Sequence, residues 1–161
     1  MADTQAHEIL GRMKRLAALA ALVLLSLPTS PAFTQPVGTL PPVSTITFAP
    51  GSTVSTVNGQ MAPGGRDLYY VPAKAGQTML VSITSAADIA FQVYTPETTL
   101  AKGADGSPVV NGATLPNAGP AANAKAWVGA IPRDGNYLIT VGSAGGGPPA
   151  PTPHSLTVSL Q

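Results

Sequence analysis

Apolar and polar residues alternate along the last segment of the chain, where Leu156, Val158 and Leu160 interleave with Ser155, Thr157 and Ser159. Successive side chains of a strand point to opposite faces, so such alternation marks a half-buried strand. Met79, Val81 and Ile83 form a second set, Tyr137, Ile139 and Val141 a third, and Phe91 with Val93 a fourth. β-Branched and aromatic runs between Gly and Pro punctuation extend the pattern. They predict strands over 45–48, 53–59, 67–72, 78–84, 88–94, 125–131, 137–142 and 155–160. Ala75-Gly76 and Asp134-Gly135-Asn136 supply turns between strands, since glycine tolerates positive φ and Asp-Gly is a strong hairpin signal. No segment after residue 32 shows a helical period. The expected fold is all-β: an antiparallel two-sheet β-sandwich, jelly-roll-like, with Phe91, Trp127, Ile139 and Val158 in one core. Residues 99–124 and 145–149 resist assignment, apart from a strand seed at Val109-Val110. Loops of this length inside a domain are usually functional or disordered.

The pattern near the start of the chain is different. Lys14 and Arg15 precede an apolar run from Leu16 to Leu25 that continues past Ser26 to Leu27, followed by Pro28 and Thr29-Ser30-Pro31-Ala32. A basic segment, about 7–15 apolar residues and small residues at −3 and −1 define a secretory signal. Cleavage is expected after Ala32. A membrane span needs roughly 20 apolar residues, which this run lacks, so no stable membrane insertion is expected after cleavage. The domain plan is a leader and cleavable signal peptide over 1–32, with Met13 an alternative start, a Pro/Thr-rich lead-in over 33–45, and a sandwich over 46–161. The expected location is periplasmic or extracellular.

The chain contains no cysteine. No disulfide and no lipid-modified cysteine can form, and the fold must hold by burial alone. After Ala32, Arg66, Lys74, Lys102, Lys125 and Arg133 balance Asp67, Asp88, Glu97, Asp105 and Asp134. Nucleic-acid binding needs a clustered positive face, and that balance excludes one.

The inventory of reactive groups is poor. A nucleophile needs a base beside it, but His154 is the one histidine past the signal and no G-x-S-x-G occurs. His154 reads as a solvated residue at a strand start. Glycoside hydrolysis needs two carboxylates at a fixed separation. Asp67 and Asp134 are the pair to consider, although both occupy strand or turn starts, where aspartate serves the backbone. Asp105-Gly106-Ser107 is a fragment of a calcium loop, and one histidine without cysteine builds no zinc site. No enzyme activity, metal or cofactor is expected. Trp127 could stack on a sugar if exposed, but a core position is the commoner one for tryptophan. In Tyr69-Tyr70 one ring faces the core and the other the sheet surface. Arg66 and Arg133 read as solvated turn residues unless a partner engages them.

The order of motifs is distinctive. Ile46-Thr47-Phe48-Ala49-Pro50-Gly51-Ser52 leads to Val57-Asn58-Gly59, Tyr69-Tyr70-Val71, Ala73-Lys74-Ala75-Gly76-Gln77-Thr78-Met79 and Ala90-Phe91-Gln92-Val93-Tyr94. Trp127-Val128-Gly129-Ala130-Ile131-Pro132 and Asp134-Gly135-Asn136-Tyr137-Leu138-Ile139-Thr140-Val141 follow. This order resembles the bacterial periplasmic inhibitors of goose-type (g-type) lysozyme and, more loosely, the pre-peptidase C-terminal β-sandwich domains of secreted proteases. The resemblance implies a jelly-roll-like sandwich and a loop that enters the substrate cleft of a lysozyme, where basic and polar side chains meet acidic groups. It also implies arginines in the segment after the G-x-Y strand, whereas residues 142–153 carry no charge. The alternative implied is an accessory domain that binds another exported protein or envelope component. From the residues themselves, the expected contact surface is the hairpin 132–137, with Arg133, Asp134, Asn136 and Tyr137. Arg133 is the group suited to an acidic cleft, because a guanidinium can bond a carboxylate through two parallel donors.

Overall fold

The most regular alternating segment lies inside one of the two main sheets. The computed structural model of the protein describes residues 42–161, apart from Asp105, 144–147 and Pro149. The leader, the signal segment and all but the end of the lead-in lie outside these residues.

Ten strands are formed among the described residues: β1 (Val43–Thr45), β2 (Val54–Met61), β3 (Asp67–Ala73), β4 (Thr78–Ser85), β5 (Ala90–Tyr94), β6 (Thr99–Lys102), β7 (Pro108–Asn111), β8 (Ala126–Ala130), β9 (Gly135–Gly142) and β10 (Thr152–Leu160). One sheet has the order β1-β3-β9-β5 and the other β2-β10-β4-β8, while β6 and β7 form a separate hairpin. The ladders are antiparallel except for β1, which runs parallel to β3. The fold is therefore the expected two-sheet sandwich. The first strand differs from expectation: pairing stops at Thr45, and Ile46 donates its N–H to the Tyr70 carbonyl at 2.8 Å while its side chain is buried.

The alternating sets meet between the sheets. Tyr69, Val71, Phe91, Val93, Tyr137, Ile139 and Val141 from one sheet pack with Met79, Val81, Ile83, Trp127, Leu156, Val158 and Leu160 from the other. Phe91, Trp127, Ile139 and Val158 do share one core. Trp127 lies along its own strand. A Cβ on Gly129, two residues on, would fall 2.3 Å from the indole ring, so only glycine leaves the ring room there. The indole N–H donates to the Pro116 carbonyl at 2.8 Å.

The described part of the stretch 99–124 carries regular structure. Besides the β6–β7 hairpin it holds a short 3₁₀ turn at Pro120–Ala122. Its second half runs along the outer edge of β5. Phe91 N–H donates to Ala124, Val93 N–H to Ala118 and Thr95 N–H to Ala113, and Leu115 N–H donates back to Val93, all at 2.9–3.0 Å. An open edge strand invites pairing with another chain, and this segment occupies that edge. Tyr70, Leu100 and Val110 pack with Leu68, Tyr94 and Leu138 in a second cluster. The outer tyrosine of the Tyr69-Tyr70 pair is thus half-buried, because this cluster partly covers it.

Candidate functional site

The two ends of the sandwich carry different chemistry. At one end, residues 131–134 join β8 to β9. Tyr137 points inward and is wholly buried, and its hydroxyl donates to the Arg133 carbonyl at 2.8 Å. Asp134 Oδ1 accepts the Ala75 N–H at 2.8 Å, tying this turn to the β3–β4 turn. The Arg133 guanidinium pairs with Glu97, both about half exposed. The Glu97 carboxyl is held below its usual range, first by a hydrogen bond from its own backbone and further by Thr95 and Arg133. A groove of about 520 Å³ opens beside the turn, lined in part by Lys74, Gln77, Asp134 and Asn136. The structure therefore brings Arg133, Asp134 and Asn136 to one exposed rim and places Tyr137 beneath it in the core. As a contact residue Tyr137 is corrected to a support for the turn.

Asp67 does not approach Asp134. Asp67 pairs with Val141 and Ala73 with Gly135, so the two acids sit at opposite ends of the β3–β9 ladder. At the usual rise of a strand that is roughly 20 Å, against about 5–10 Å for a glycosidase pair.

At this second end His154 is buried and not solvated, its side chain fully enclosed. Nε2 lies 3.4 Å from Asp67 Oδ2, yet neither ring nitrogen makes a hydrogen bond. Burial pushes the imidazole below its usual pKa, with Asp67 opposing. Burial pushes the Asp67 carboxyl up, with His154 opposing, and raises the Tyr69 hydroxyl too, reinforced by Asp67. The ring occupies space left by Gly59 across the β2–β10 ladder, where a Cβ would fall 2.5 Å from it. The sequence held the signal, since His154 has the same parity as Leu156, Val158 and Leu160. Pro153 obscured it, because proline is unusual within a sheet. Here Pro153 is paired to β2 before the β4 ladder begins at His154.

The same end carries a cleft of about 280 Å³ on the outer face of the β5–β9 ladder. Gln92 and Thr140 lie in its floor, and Arg66, Asn123 and Ser143 line it. A Cβ on Gly142 would lie 3.7 Å from Arg66 Nε, which places the guanidinium stem over the end of β9. Sequence reasoning left Arg66 as a turn residue because nothing local links it to β5 or to the 3₁₀ turn.

These features define an all-β sandwich domain with clusters of polar and charged groups on the loops at both ends. Among solved structures the chain is similar to PliG from Aeromonas hydrophila, a periplasmic lysozyme inhibitor of g-type lysozyme. The identity is 30%, the match covers 74% of this chain and 96% of that one, and the TM-score is 0.53. The chain belongs to this family of periplasmic inhibitors of g-type lysozyme. PliG from Salmonella Typhimurium matches at 16% identity over 74% of this chain and 97% of its own, with a TM-score of 0.50. CorA, a surface-associated copper-binding protein of Methylomicrobium album BG8, matches at 12% identity over 74% and 98%, also at 0.50. Those two share the fold. No family model matches the chain, and no curated protein does.

Proposed function

We propose that this chain is an exported, non-enzymatic protein that binds and inhibits a g-type lysozyme. The observation that carries the reading is the 30% identity extending over 96% of the Aeromonas inhibitor. Export is supported by the basic pair Lys14-Arg15 ahead of the apolar run and the small residues before Phe33. The contact is carried by loops at the ends of the sandwich, where a rigid scaffold presents polar groups. Arg133, Asp134 and Asn136 offer one such rim, on which Glu97 already neutralises the arginine.

The test is direct binding. Residues 33–161 titrated calorimetrically into a goose-type lysozyme should give a saturable complex that an invertebrate-type lysozyme does not give. Absence of heat and of a complex on gel filtration would overturn the reading. Mass spectrometry of the protein recovered from its producing cells should find an N-terminus near Phe33. An intact segment 13–32 would refute export by cleavage.

A further inference from the structure

We propose that the cleft beneath Arg66 is the socket for an acidic side chain of the protein partner, and that Arg66 is its principal anchor. This rests on the inhibitory reading above and names the group of the partner that is recognised. Among the described residues Lys125 is paired with Asp88 at 2.7 Å and Arg133 with Glu97, whereas Arg66, Lys74 and Lys102 have no described carboxylate within ion-pair distance. Of these three only Arg66 lines the cleft on the outer face of the β5–β9 ladder. The neighbouring acid, Asp67, lies with its Oδ2 3.4 Å from His154 Nε2 and makes no ion pair with Arg66.

The lining of the cleft matches an anionic acceptor. It holds the Arg66 guanidinium, the amides of Gln92 and Asn123 and the hydroxyls of Thr140 and Ser143, and no carboxylate. Gln92 Oε1 accepts the Tyr94 hydroxyl proton at 2.5 Å, which leaves its Nε2 as a donor. Arg66 acts on that same hydroxyl, opposing the upward push that burial gives the Tyr94 pKa. The walls are fixed by strong elements: β5 and β9 form the floor, and the 3₁₀ turn is held by the bonds from the β5 edge to Ala118 and Ala124. A guanidinium presents parallel donors to a carboxylate at the mouth of such a cleft. Because no described carboxylate pairs with Arg66, binding there breaks no ion pair among the described residues. At the other end the partner's acid would have to displace Glu97 from Arg133.

The experiment compares Arg66→Gln, Arg66→Lys and Arg133→Ala with the wild-type protein, each titrated into a goose-type lysozyme at low and moderate salt. Arg66→Gln keeps length and polarity but removes the charge. It should weaken binding at least tenfold, flatten the salt dependence and leave the melting temperature unchanged. Arg66→Lys should recover part of the affinity, and Arg133→Ala should lose less affinity than Arg66→Gln does. Wild-type affinity in Arg66→Gln, or a loss found only in Arg133→Ala, would overturn this assignment alone. Failure of the wild-type protein to bind would overturn the inhibitory reading and this assignment with it.

Discussion

Trp127 and Gly129 act as one unit: the indole lies where any side chain at Gly129 would stand, and its N–H reaches the Pro116 carbonyl. Truncating Trp127 to Ala removes a core side chain and a tie to the segment that closes β5. The expected cost is about 3–5 kcal/mol, a large part of a domain stability of roughly 5–15 kcal/mol, measurable by urea unfolding. Gly59→Ala should also destabilise, since the His154 ring facing it is enclosed and cannot swing away. His154 sets a pH dependence as well. Burial lowers its folded pKa, so the unfolded chain takes up the proton first, from about pH 6.5 downward. That part of the stability is complete above this pH and is lost as pH falls toward the folded value, by at most about 1.4 kcal/mol per pH unit for one proton. Asp67 acts in the opposite sense at lower pH, because its raised pKa lets the folded form bind a proton before the unfolded chain does. Denaturation at pH 7.5 and 5.5 should show a drop in the wild type that is smaller in His154→Phe. An equal drop in both would place the titration elsewhere.

The strands of the core were legible because burial on one face writes period two directly into the sequence. β4, β9 and β10 needed no knowledge of their neighbours. The segment after β5 was not legible, since its order comes from contacts distant in sequence. Ala113, Ala118 and Ala124 contribute backbone carbonyls, which any residue would supply. Of β6 and β7, Val109-Val110 was the visible part, and the role of Val110 as part of a cover beside Tyr70 and Leu138 depends on the outer face of another sheet. The candidate contact rim was legible as a turn, but the burial of Tyr137 follows from the same alternation that identified the strand. The edge-closing role carries its own prediction. Leu115→Asp puts a charge at a buried position of that segment and should speed hydrogen exchange at the amides of Phe91 and Val93, while β10 stays protected. Uniform loss of protection would mean that the segment and the sheets unfold as one unit.

At the scale of the described domain, two sheets bury a main core between them, a smaller cluster lies outside β3 and β9, and charged groups gather at both ends. One end has an arginine neutralised by Glu97 beside a groove that Lys74 also lines, and the other an arginine without a described carboxylate partner above a donor-lined cleft. That asymmetry, on a chain that covers 96% of a known inhibitor at 30% identity, fits the proposed capture of an acidic partner. The most direct test is the lysis rate of bacterial cells under goose-, chicken- and invertebrate-type lysozymes, with residues 33–161 added in increasing amounts. Lysis by the goose-type enzyme should fall to background near equimolar inhibitor while lysis by the other two is unaffected. Undiminished lysis by the goose-type enzyme at large molar excess would contradict the inhibitory reading.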